Sequence, residues 1–114
     1  MQTTVDIVIP TFNQPRALRL ALTSIVRWTR SCFAITVVDN SLAGYAGEIC
    51  RQTHPAIKVI RPGSNLGWMG GVNLGASEGS GDYILMLNDD VVILDFDHQW
   101  LQKLLSVFVR ENDV

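Results

Sequence analysis

Residues 88–90, Asn-Asp-Asp, follow one apolar run, Tyr83-Ile84-Leu85-Met86-Leu87, and precede another, Val91-Val92-Ile93. Two adjacent carboxylates, both charged at pH 7, repel each other and resist leaving water. A hard divalent cation would offset that repulsion. Magnesium takes oxygen ligands, and it commonly uses only one or two carboxylates and completes its shell with phosphate oxygens and water. A cation bridging a diphosphate there would also stabilise charge developing on a leaving group. In isolation the pair is better read as a solvated acidic turn. Its surroundings reverse that preference, because an apolar strand precedes it and a crevice edge is expected where that strand ends. Asp82, Asp89, Asp90, Asp95 and Asp97, five of the eleven acidic residues within sixteen positions, also suit a cation better than a phosphate.

Further residues could share in such chemistry. Asp39 ends the segment "ITVVD" and precedes Asn40-Ser41. A carboxylate at that place accepts from a ribose or a base imide, or else caps the next helix and stabilises the turn. The segment "GSNLGWMGGVNLG", residues 63–75, is rich in glycine and asparagine. Glycine lets backbone approach a ligand closely, and a helix N-terminus favours anionic groups. A tight loop that seats a helix against a sheet needs the same residues. The segment is neither a dinucleotide fingerprint nor a phosphate-binding loop of the GxxxxGK type, and "PTFNQ" after the first apolar run lacks glycine. Trp28, Trp68 and Trp100 are the tryptophans; by residue type they are packing residues before they are ligand platforms. His54 belongs to a surface loop, and His98 beside Asp95 and Asp97 to the polar start of a helix.

Positioning these groups requires an ordered framework, and the hydrophobic pattern supplies one. Strands are expected at Val5–Pro10, Phe33–Asp39, Ile57–Ile60 and Tyr83–Leu87, the last buried on both faces. Helices are expected from Pro15 (with Leu18, Ala21, Leu22 and Ile25 on one face), over Ala46–Thr53, from the glycine-rich segment to about Glu78, and after Asp97 as cap. Gly79-Ser80-Gly81 stops the third helix. Apolar strands alternating with helices predict an α/β fold: a Rossmann-like three-layer sandwich with a mainly parallel sheet. Right-handed crossovers would open every strand C-terminus on one edge, where ligands bind. Thr11, Asp39 and Asn88-Asp89-Asp90 would then converge on one wet crevice.

With 114 residues, 47% of them apolar and 18% charged, the chain fits one globular domain. A net charge of −2 offers no general field for nucleic acid. Cys32 and Cys50 lack the spacing of a zinc site or a disulfide framework, which suits a reducing, cytoplasmic setting. The N-terminus shows no signal-peptide pattern, and no apolar stretch approaches the roughly 20 residues that span a bilayer.

Taken together, "VDIVIPTFNQPRALRLALTSI", "ITVVDNS" and "NLGWMGGVNLGASEGSGDYILMLNDDVVI" closely resemble the N-terminal half of family 2 glycosyltransferases of the GT-A fold. The resemblance covers nearly the whole chain, in order. It implies a rhamnosyltransferase-like, nucleotide-sugar-binding domain over residues 1–114, without the acceptor-binding half and its general base. It implies that Thr11 and Asp39 hold the nucleoside, with Pro10, Asn13, Asn65, Gly67, Gly71, Asn73, Asn88 and Asp89 contributing to nucleotide-sugar binding. It implies Mg²⁺ or Mn²⁺ at Asp90 and Asp89, the place of the family's Asp-x-Asp motif. The reaction implied is transfer of sugar from a UDP- or dTDP-sugar to an acceptor hydroxyl on a glycan or lipid-linked acceptor, in bacterial polysaccharide or cell-surface glycan synthesis. A cytoplasmic location, peripheral at the inner face of the membrane, goes with that role.

Two other readings are available. One is a non-catalytic nucleotide-sugar-binding or assembly module on the same fold. The other is a phosphoacceptor receiver domain, disfavoured because no acid follows Val5–Pro10 and the lysines, Lys58 and Lys103, are misplaced. A partial sheet would also leave an unpaired edge, through which two copies could associate.

Overall fold

The computed structural model describes residues 3–30, 33–94 and 98–111. The elements alternate: β1 (Val5–Thr11), α1 (Pro15–Trp28), β2 (Phe33–Asp39), α2 (Ala46–Thr53), β3 (Lys58–Ile60), α3 (Gly67–Ser77), β4 (Tyr83–Met86) and α4 (Trp100–Glu111). The four strands form one sheet in the order β3-β2-β1-β4, and every pairing is parallel. The expected α/β sandwich is therefore the observed architecture. The strand order reverses between β1 and β4, so the crevice at the C-terminal edge lies where parallel sheets hold ligands.

β1 is buried along its whole length, as its continuous apolar run requires. Its alternate side chains serve different layers. Val5, Ile7 and Ile9 join Leu18, Leu22, Ile25, Ile49 and Leu101 in the main core, beneath α1, α2 and α4. Asp6, Val8 and Pro10 face the opposite layer, where α3 lies. There a Cβ on Gly75 would stand 2.4 Å from Val8 Cγ1, and one on Gly71 would stand 3.1 Å from Pro10 Cβ. Glycine at these positions lets α3 press closely against the sheet.

α1 starts at Pro15, whose missing N–H would have no helical partner there. Asp6 is a buried carboxylate outside the crevice. Its Oδ2 accepts from Gly81 N–H at 2.7 Å and fixes the loop entering β4.

Three expectations need correction. The fourth strand is not buried on both faces: Ile84 and Met86 are each 50% exposed. β4 is an edge strand, and α3 packs over β1 and β2, so among the described residues no helix packs closely over Ile84 and Met86. The strand also ends at Met86 rather than Leu87, although Leu87 N–H still bonds Val8 O at 3.0 Å. The third strand begins at Lys58, one residue later than expected. Residues 91–94 are irregular, with Ile93 N–H donating to Ser24 Oγ at 2.9 Å. Asp95, Asp97 and Cys32, and with them the proposed cap of the last helix, lie outside the described residues.

Candidate functional site

Thr11 ends β1 and pairs in register with Asp39 at the end of β2. Its side chain is nearly fully buried, with 2% exposure. The Thr11 Oγ1 hydroxyl donates to Asp89 Oδ2 at 2.8 Å, across 78 positions of sequence. That single proton is then spent, so the 2.8 Å contact between Thr11 Oγ1 and Tyr45 Oη has Tyr45 as donor. Tyr45 Oη in turn accepts from Gln14 N–H at 2.8 Å. The hydrogen bonds run one way, from the start of α1 through Tyr45 and Thr11 to the carboxylate of Asp89. Bonds aligned in this manner polarise one another.

A hollow of about 310 Å³ opens beside this chain of bonds, lined by Pro10, Thr11, Phe12, Gln14, Asn40, Asn65, Gly67, Trp68 and Asp89. It combines the ends of β1 and β2, the loop after β4 and the first residues of α3. Asn40 joins two of these walls. Its Oδ1 accepts from Leu66 N–H at 3.3 Å and its Nδ2 donates to Gly67 O at 3.2 Å. Asn65 Oδ1 accepts from Gly67 N–H at 2.9 Å. Gly67 has φ +73°, a conformation that favours glycine, and it turns the loop into α3. The N-terminal turn of α3 carries no acidic side chain, so its dipole favours an anion at the rim.

Asp39 is more deeply placed. Its Oδ1 accepts from Ser41 N–H at 2.9 Å and its Oδ2 from Ala46 N–H at 3.4 Å, so the carboxylate caps the start of α2. Arg61 Nε lies 3.9 Å from Asp39 Oδ2, and Arg61 Nη2 donates to Leu42 O at 3.2 Å. The Asp39 side chain is fully buried. Its charge is felt nearby: the Cys50 thiol is pushed up to about 11, first by burial and next by Asp39, against the opposing pull of Arg51.

Of the residues singled out in the sequence, Pro10, Thr11, Asn65, Gly67 and Asp89 line the hollow. Among the described residues its wall does not include Asn13, Asp39, Gly71, Asn73, Asn88 or Asp90. Asn13 sits at φ +54° in the turn after β1, its N–H donating to Ser41 Oγ at 2.7 Å. Gly71 lies on the sheet-facing side of α3, against Pro10 and Asn40. Asn73 and Asp90 are exposed. Asn88 is also exposed, and its Oδ1 accepts from Trp68 Nε1–H at 2.8 Å.

Phe12, Gln14, Asn40 and Trp68 also line the hollow, and Tyr45 bonds Thr11 behind it; none of them is among the binding residues expected from sequence. Trp68 is a correction, because it stands 43% exposed at the hollow rather than packed in the core. Its place immediately after Gly67, on a helix start, was the available signal. Tyr45 carried none, since only the folded β2–α2 loop brings it to Thr11.

No cluster of three or more His, Cys, Asp or Glu side chains among the described residues could hold a metal by itself. Asp89 lines the hollow and Asp90 follows it outside that wall; one or two carboxylates suffice for a cation that completes its shell with phosphate oxygens. Asp89 keeps Oδ1 free of the Thr11 bond, and Asp90 is exposed to solvent.

Known proteins resemble this chain in sequence and in fold. The family described as glycosyl transferase family 2 matches residues 6–114. An uncharacterized glycosyltransferase of Haemophilus influenzae is 29% identical over 110 residues, covering 96% of this chain and 36% of that protein. The glycosyltransferase GlyA of Streptococcus pneumoniae is 27% identical over 107 residues, covering 90% of this chain and 15% of its own length. The chain thus spans well under half of either curated relative. Among solved structures, the mannosyltransferase PcManGT of Pyrobaculum calidifontis, in complex with GDP-Man and Mn²⁺, superposes with a TM-score of 0.82 at 17% identity, over 95% of this chain and 33% of that one. S. aureus TarS in complex with UDP gives a TM-score of 0.79 at 17% identity, over 96% and 33% of the two chains. These two likenesses show a shared fold.

Proposed function

The chain belongs to glycosyl transferase family 2, and from that premise we propose that the hollow between Thr11 and Asp89 receives the nucleoside diphosphate of a sugar donor. The observation that carries this reading is the Thr11–Asp89 hydrogen bond at the switch point of a parallel sheet, on the wall of a 310 Å³ hollow with a helix N-terminus at its rim. PcManGT in complex with GDP-Man and Mn²⁺ and TarS in complex with UDP lend support as proteins of the same fold. In this reading UDP- or dTDP-sugars are the donors and Mg²⁺ or Mn²⁺ the cofactor.

Each part of the site has a task. The N-terminus of α3, with Asn65 and Gly67, receives the diphosphate. Phe12 and Trp68, half-exposed on the wall of the hollow, offer apolar surface to base or sugar. Asp39 holds Ser41 and Ala46, and so keeps the floor beneath the nucleoside. Asp90 and the unbonded oxygen of Asp89 would hold the cation, which when bound supplies charge stabilisation to the departing diphosphate. In the transfer, an acceptor hydroxyl oxygen forms a bond to the anomeric carbon as the bond from that carbon to the diphosphate breaks. The hydroxyl proton goes to a base.

Asp89 is the sole carboxylate among the described residues lining the hollow, and Thr11 already engages it. In this reading the described residues serve donor binding, and the general base is proposed to come from an acceptor-binding half. The same observation favours the second reading, a binding module without turnover of its own. The acceptor, a glycan or lipid-linked hydroxyl in cell-surface glycan synthesis, belongs to the proposal for the complete enzyme. So does a location at the inner face of the membrane. No helix among the described residues is long and apolar enough to cross a bilayer.

The exposed edge of β4, with Ile84 and Met86 beside it, is the proposed contact for a second copy. Sedimentation showing a monomer at every concentration removes that contact.

Thermal shift with UDP, GDP and dTDP, each with and without Mn²⁺, tests the donor site. A ligand at a hundred times its Kd stabilises by about 2.7 kcal/mol. A rise in Tm with at least one nucleotide, larger with Mn²⁺, is expected; no rise with any of them removes the reading.

A further inference from the structure

Trp68 opens the first turn of α3, and its indole N–H donates to Asn88 Oδ1 at 2.8 Å, across 20 positions of sequence. An indole nitrogen donates and never accepts. It therefore decides which end of the Asn88 amide faces α3: the carbonyl turns toward the helix and the NH₂ group turns away. Among the described residues that NH₂ group has no protein partner. Asn88 is exposed and directly precedes the acidic pair.

Resting on the donor-site reading above, we propose that Trp68 is a positioning residue that makes Asn88 a hydrogen-bond donor to the diphosphate, and not an oxygen ligand of the cation. An asparagine amide presents either its oxygen or its NH₂ after a half-turn of its terminal torsion. With the oxygen outward, Asn88 would add a third acceptor beside Asp89 and Asp90 and repel phosphate. With NH₂ outward it offers N–H donors to the anion, the charge-assisted kind of hydrogen bond. The indole holds the second arrangement before any ligand arrives. The cation is left to Asp90 and Asp89.

The test uses this chain with UDP and with uridine as probes, titrated calorimetrically at saturating Mn²⁺. Trp68→Phe keeps an aromatic ring and removes the donor. Asn88→Ala removes the amide, and Asn88→Asp replaces its NH₂ by an anionic oxygen. The expected result is that W68F and N88A each weaken UDP binding about three- to tenfold. W68F costs nothing further on the N88A background, and N88D weakens UDP more than N88A. Uridine, lacking phosphate, changes less than twofold throughout. In the free protein, W68F also moves the Asn88 side-chain NH₂ resonances, a readout independent of any ligand.

UDP bound by W68F as tightly as by the wild type overturns the proposal. So do additive W68F and N88A effects, or a loss of uridine affinity equal to that of UDP. A wild type that binds no nucleotide removes the donor-site reading and this proposal together, and that failure is recognised in the unmutated chain.

Discussion

Gly75 lies where α3 touches the sheet, and replacing it by alanine puts a number on that contact. The new Cβ would meet Val8 Cγ1 at 2.4 Å and Val38 Cγ2 at 3.1 Å. Carbon atoms pack at about 3.5–4.0 Å, so the helix must lift by about 1 Å. Neither valine can swing aside cheaply, because both are fully buried and β-branched side chains have few rotamers. Overpacking of this kind costs about 1–3 kcal/mol, while glycine to alanine within a helix returns up to about 1 kcal/mol. The 2.4 Å approach to a buried valine puts the cost at the top of that range, so the net loss is about 2 kcal/mol, a fall in Tm of about 8–12 °C for a domain of this size. Gly47→Ala is the control. Its Cβ meets only Arg51 Nη1, at 3.5 Å, so the helix-propensity gain of α2 stands unopposed and stability rises slightly. Urea denaturation of both variants measures the difference, and Val8→Ala in the Gly75→Ala background should recover part of the loss. Gly75→Ala as stable as the wild type would refute the account of how α3 is seated, and with it the placement of Gly67 and Trp68 at the hollow.

Tyr45→Phe breaks the run of hydrogen bonds that ends on Asp89, leaving Gln14 N–H and Thr11 Oγ1 each short of one partner. Water reaches this partly exposed site, so the expected loss is about 1 kcal/mol in urea denaturation, with weaker UDP binding; unchanged stability and binding contradict the relay. Cys50 is buried with its thiol pushed up to about 11, so the reactive thiolate is scarce at pH 8. In a Cys32→Ser variant, iodoacetamide should label Cys50 far more slowly in the folded protein than in urea, and equal rates would contradict that burial. The sign for stability follows from the same shift. The folded state holds the proton more tightly than the unfolded one, so this contribution is intact below the ordinary thiol pKa of about 9 and is lost as pH rises through about 11. The alkaline loss of stability should therefore be smaller in Cys50→Ala than in its parent.

The sheet was legible because β1 and β2 are continuous apolar runs, and a strand buried on both faces needs no alternation to betray it. β4 has the same composition but lies at the edge, and a residue string does not say which strand has a neighbour. Thr11, Asn65, Gly67 and Asp89 were visible as polar or glycine residues at the ends of elements, where topology alone brings them together. Tyr45 and Asn40 were not, because their partners are set by how the β2–α2 loop folds back. Asp39 shows the limit from the other side: a carboxylate at a strand end is compatible with a ligand contact and with a helix cap, and the structure turns both its oxygens onto backbone amides. Trp68 was assigned to packing by residue type, yet the helix start that it occupies faces the hollow.

A cation held by Asp90 and Asp89 is proposed to join a nucleoside diphosphate to this hollow. Calorimetric titration of UDP with and without Mn²⁺, on the wild type and on Asp90→Ala, tests it most directly. Mn²⁺ is expected to strengthen UDP binding to the wild type and to leave the affinity of the variant nearly unchanged. Equal strengthening by Mn²⁺ in both proteins would contradict it.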